Sequence, residues 1–137
     1  MKTLVECLTF ESKDAVAQQL VDALLGKSDM LTGYSATTCM ADFKDTNDNR
    51  EVRTLSLLLY KGDNEKKPEY ILCLWGGRDY GGLGLLDDIK KEITGDTHKL
   101  KYEVSKSTNN IQIHYDNAWW SLKVFTEGEY KNLYIEK

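Results

Sequence analysis

Six consecutive residues, Tyr70-Ile71-Leu72-Cys73-Leu74-Trp75, carry no charged or amide side chain. Successive side chains of a strand point to opposite faces, so a strand built from this run is apolar on both of them. Such a strand belongs at the centre of a sheet, covered from both sides. The run is far too short to cross a bilayer, which takes about 20 residues as a helix. Lys61-Gly62-Asp63-Asn64 and Pro68 mark the turn that precedes it. A glycine-rich connection follows it.

The rest of the chain falls into elements around this strand. Residues 3–10 have strand composition. Ser12 offers an N-cap, Val16, Leu20, Ala23 and Leu24 recur at helical spacing, and Gly26 supplies a stop, so a helix is predicted over 13–25. A strand is expected from Leu31 to Phe43, bent near Gly33, and a hairpin carries it through Lys44–Asn49 into the alternating Leu55, Leu57 and Leu59. Leu85, Leu86, Ile89 and Ile93 mark a second helix, with Asp87 and Asp88 placed in its first turn, Lys90 and Lys91 further on and Gly95 at its end. The last 38 residues read as an antiparallel meander: Leu100, Tyr102 and Val104, then Ile111 and Ile113, then Trp120, Leu122 and Val124, and finally Leu133 and Ile135. Asp116-Asn117 is a two-residue turn and Gly128 marks another.

The resulting order is β-α-β-β-β-α-β-β-β-β. At 137 residues it forms a single α+β domain, residues 1–137, with a largely antiparallel β-sheet and two helices on one face. The opposite face is left to meet water or a partner. With 41% hydrophobic residues the chain has enough apolar surface to fold without a metal or disulfide staple. Its 22 acidic and 18 basic residues are interspersed and leave a net charge of −4, which disfavours non-specific binding to nucleic acid or to an anionic membrane. Cys7, Cys39 and Cys73 are far apart and odd in number, unlike a secreted disulfide framework, and Glu6 interrupts the N-terminus before any signal-peptide core develops. A cytoplasmic location is expected.

Two places offer recognition chemistry. The first is the connection after the central strand, where Trp75, Gly76, Gly77, Arg78, Tyr80, Gly81 and Gly82 put bare amides and one arginine near a helix N-terminus. Backbone N–H groups there bind anions, and Tyr80 or Trp75 would stack on a nucleotide ring. The spacing matches neither the dinucleotide fingerprint nor the P-loop, and the glycines equally serve to let the chain turn tightly beneath a helix. The second is the open sheet face. If Trp120, Leu122 and Val124 face the helices, then Trp119, Ser121 and Lys123 face away, as do Tyr130, Asn132 and Tyr134 on a strand expected alongside. Trp119, Lys123, Tyr130 and Tyr134 then form a protein-binding surface; a one-residue slip would turn the same rings into core.

No catalytic constellation accompanies these features. His98 and His114 are not tied by spacing to a cysteine, and Cys73, Cys7 and Cys39 read as buried small residues. Asp45, Asp48 and Asp63 belong to turns, no metal-ligand spacing occurs, and neither a metal nor a cofactor is expected. The chain therefore reads as a non-enzymatic binding protein that inhibits or neutralises a protein partner, of the immunity or anti-defence type, with possible self-association. The alternative is a small-ligand binder or sponge that holds a phosphate-bearing nucleotide at the glycine-rich loop, 75–84. An enzyme acting through Cys39 or a histidine ranks last.

Overall fold

The computed structural model describes residues 2–12, 14–45, 50–62, 68–75, 82–95, 99–104, 110–126 and 130–136; of these, 2–12, 14–15, 39–45, 51–53, 75, 82–83 and 130–136 are described by their backbone alone. The elements in chain order are β1 (Lys2–Ser12), α1 (Asp14–Leu24), β2 (Tyr34–Asp45), β3 (Arg50–Lys61), β4 (Tyr70–Trp75), α2 (Gly82–Ile93), β5 (Lys101–Val104), β6 (Ile111–Tyr115), β7 (Ala118–Thr126) and β8 (Tyr130–Glu136). The α+β order and the two helices agree with the sequence reading. The strands form one sheet in the order β5-β6-β7-β4-β3-β2-β1-β8. All its pairings are antiparallel except the short parallel contact of β1 with β2.

The apolar run lies at the centre as β4, and Ile71, Leu72 and Cys73 are all fully buried. Its two faces are buried in different ways. Cross-strand neighbours share a face, so Leu57, Leu72 and Val124 form one row, with Leu122 opposite Ile111, and Trp120 opposite Ile113, alongside it. These residues belong to one core cluster with Leu20, Val21 and Leu24 of α1 and Leu85, Leu86 and Ile89 of α2. Both helices thus cover the same side of the sheet.

The opposite side is where the structure departs from expectation. Leu58, Ile71 and Phe125 form a row there and are as deeply buried as the helix-facing row. The reason is an extra pairing. Through Glu11 and Ser12, β1 pairs with the end of β7 at Thr126 and Phe125, while Thr9 and Phe10 of β1 pair with Lys44 and Asp45 of β2. The strands β7-β4-β3-β2-β1 therefore make a closed circuit, and the central part of the face expected to be open is enclosed by the chain itself. Polar groups enclosed there have partners: Thr54 and Ser56 share a hydroxyl hydrogen bond, and Ser56 Oγ lies 3.6 Å from Cys73 Sγ.

Local chemistry explains the end of α1 and the turn between β6 and β7. Gly26, with φ of 76°, closes α1 in the left-handed conformation, with Gly26 N–H donating to Ala23 O at 3.0 Å and Lys27 N–H to Asp22 O at 2.7 Å. Asp116 and Asn117, with φ of 52° and 59°, make the predicted two-residue turn between β6 and β7. Other boundaries differ from the sequence reading. Ser12 is not an N-cap but the last residue of β1, opposite Phe125, and α1 begins at Asp14. Helix α2 starts at Gly82, so Asp87 and Asp88 fall beyond its first turn, and dipole compensation does not explain them. Gly33 precedes β2 rather than bending it.

Candidate functional site

The closed circuit encloses the sheet face only where β1 reaches. Beyond it, at the β5-β6-β7 end, the same face is open. Alternation along β7 alone decides this: Trp120, Leu122 and Val124 point to the helices and are buried, while Trp119 points away and is 46% exposed. The predicted phase of this strand is therefore correct. Trp119 is the one large hydrophobic residue exposed among the described residues.

Register assembles the surroundings of Trp119. Lys101 of β5 pairs with His114 of β6, which pairs with Trp119 of β7, so a cation, an imidazole and an indole stand in one row across three strands. The rings of His114 and Trp119 have centroids 5.1 Å apart and tilt by 54°. Lys101 Nζ lies 5.6 Å from the Trp119 ring centroid, within the range of a cation–π contact. The next row holds Glu103, Gln112 and Ser121, and Gln112 Nε2 donates to Ser121 Oγ at 2.9 Å. Lys123, half-buried, sits further along β7 opposite Cys73, with Nζ 5.4 Å from the Phe125 ring centroid. Trp120 anchors the strand beneath, its Nε1 donating to Tyr115 O at 3.2 Å.

Tyr130 and Tyr134 do not join this surface as expected. Their strand, β8, pairs with β1 rather than β7: Tyr130 stands opposite Leu8 and Tyr134 opposite Leu4, at the far edge of the sheet. The meander stops at β7. The residues missed by sequence reasoning are Lys101 and His114, which complete the Trp119 row. Both occupy polar positions of alternating strands, but only the strand register brings them together.

Of the glycine-rich connection, Trp75 ends β4 opposite Ser121 and Gly82 opens α2, so the segment does join the central strand to the second helix. Gly76, Gly77, Arg78, Tyr80 and Gly81 lie outside the described residues, as do His98, Asp48 and Asp63. Cys73 is fully buried, as expected; Cys7 and Cys39 lie in β1 and β2. His114 is exposed. Among the described residues no group of three His, Cys, Asp or Glu side chains is placed to hold a metal ion, and no helix is long and apolar enough to cross a membrane.

A concavity of about 540 Å³ lies where α1 and α2 end, lined by Gly26, Leu31, Tyr34, Glu92, Ile93 and Thr94 among others. Asp29 and Glu92 are its acidic lining residues, and the second of them is committed elsewhere. Glu92 is 2% exposed and accepts hydrogen bonds from Leu100 N–H at 2.7 Å and from the Tyr102 hydroxyl. Burial, reinforced by this hydrogen bond, raises the Tyr102 phenol far above its ordinary range, so it remains a donor. This trio ties the end of α2 to β5, the strand that carries Lys101.

No protein-family model, curated protein or solved structure matches the chain.

Proposed function

We propose that this is a non-enzymatic binding protein that neutralises an acidic protein partner by covering it, and that it docks through the Trp119 end of the sheet. The observation that carries this reading is an exposed tryptophan on a rigid, hydrogen-bonded strand, flanked by His114 and Lys101. An indole supplies a large contact area at little entropy loss, and tryptophan dominates interface hot spots. Being held on a strand between two others, the ring pays little to be ordered on binding.

Charge selects the kind of partner. Lys101 and Lys123 share the face with His114 and with Glu103, the acidic residue of the described β5-β6-β7 rows, on a chain whose net charge is −4. A locally basic aromatic surface on an acidic protein favours an acidic protein surface and steers its approach. Inhibition by coverage needs no catalytic group, only a surface that outcompetes the partner's own ligand.

The test begins with capture of partners on the immobilised chain and continues with a purified partner. Trp119→Ala is expected to weaken that complex by about 2 kcal/mol, close to thirtyfold in Kd, while leaving the circular dichroism spectrum unchanged. The partner's own activity should fall on addition of the parent chain and recover with the variant. Equal affinity of the two chains for the partner would remove Trp119 from the interface. If Arg78→Ala instead abolishes a nucleotide-induced thermal shift, the ligand-binding alternative takes its place.

A further inference from the structure

The outer edge of β5 has a pattern that matches itself. Among the described residues β5 pairs with one strand, β6, and stands at the end of the sheet, so one side of its backbone has no strand beside it. An edge of this kind is a template for another strand. Lysines commonly protect such edges by repelling a like strand, and Lys99 and Lys101 would do so here on their own. Glu103 changes the outcome, because it lies two residues from Lys101 and so on the same face of the strand, with both side chains exposed.

We infer that β5 pairs antiparallel with β5 of a second copy about a two-fold axis at Tyr102. In that register Lys101 stands opposite the partner's Glu103, and Glu103 opposite the partner's Lys101. Opposite charges directly across an antiparallel pair stabilise it, whereas like charges oppose it. On the helix-covered face the same register sets half-buried Val104 opposite the partner's Leu100, itself half-buried at the edge of the core cluster. The contact is isologous and closes at two copies. It joins the two sheets into one and makes the two Trp119 faces continuous, which gives the binding protein two docking surfaces and the gain of bivalent attachment. Four-residue strands make a small interface, so the dimer forms in a concentration-dependent way.

Charge reversal tests the register independently of any partner. Lys101→Glu and Glu103→Lys each place like charges opposite one another twice, and each is expected to weaken the dimer by roughly tenfold or more in sedimentation equilibrium. The double variant, with both reversals in one chain, restores both opposite-charge pairs and is expected to dimerise like the parent. A parent chain that stays monomeric at all concentrations, a dimer that persists unchanged in both single variants, or one that the double variant does not restore would each overturn the inference. None of these outcomes bears on the docking reading, which stands or falls on partner affinity with Trp119→Ala.

Discussion

Phe125→Ala lowers the free energy of unfolding by about 3–5 kcal/mol, whereas Trp119→Ala changes it by less than about 1 kcal/mol. Both residues lie on β7 and point to the same side of the sheet. They differ in what stands across from them. Phe125 is 1% exposed because Ile71 flanks it on one side and the end of β1 on the other, at Ser12. Truncation there removes buried apolar area and leaves a cavity in the enclosed part of the sheet, which relaxes only partly. Trp119 is already 46% exposed, so its removal forfeits much less burial, together with its contacts to His114 and Lys101. Guanidinium denaturation followed by circular dichroism measures both. A small domain is stable by roughly 5–15 kcal/mol, so Phe125→Ala should also shift the midpoint visibly at ordinary temperature. Equal effects of the two substitutions would mean that the closure through β1 does not exist.

Glu92→Ala is expected to cost about 3 kcal/mol, and more than Tyr102→Phe. The carboxylate serves two donors, the backbone N–H of Leu100 and the hydroxyl of Tyr102, and Tyr102 is itself only 6% exposed. Removing the shared acceptor leaves two polar groups without their partner, each worth about 1–3 kcal/mol. Tyr102→Phe removes one donor and leaves the carboxylate its bond to Leu100, so its effect is about 1–2 kcal/mol. Glu92→Gln keeps an acceptor oxygen and should fall between the parent and Glu92→Ala. A double-mutant cycle over Glu92 and Tyr102 isolates the coupling, and a coupling near zero would contradict the contact. The consequence reaches the site, because these bonds hold the entry to β5, where Lys101 and Glu103 stand.

What the sequence discloses here is face and element type; what it conceals is which strands meet. The alternation of Trp120, Leu122 and Val124 is enough to turn Trp119 outward, because a strand has period two wherever it sits. Nothing in that alternation says which strand lies alongside. Short connections favour neighbours in sequence, so β8 was expected beside β7, yet it pairs with β1 from Lys2 to Leu8 and takes Tyr130 and Tyr134 with it. The contact of β1 with β7 joins residues from opposite ends of the chain, and no local pattern around Ser12 announces it. Local propensity also misplaces the start of α2. Gly82 and Gly84 each disfavour helix by about 1 kcal/mol relative to alanine, so the helix was expected to begin after them. Tertiary packing outweighs that preference: Leu85, Leu86 and Ile89 of α2 are fully buried in the core, and a Cβ on Gly84 would stand 3.1 Å from the Tyr115 hydroxyl at the end of β6.

One side of this sheet is divided between an enclosed half and an exposed half, and recognition belongs to the exposed half. Hydroxyl-radical footprinting read by mass spectrometry, on the free chain and on its complex with a purified partner, measures that division residue by residue. Trp119 is expected to be oxidised in the free chain and shielded in the complex, with Phe125 unreactive in both. Oxidation of Phe125 in the free chain, or a Trp119 that reacts equally with and without the partner, would contradict the account.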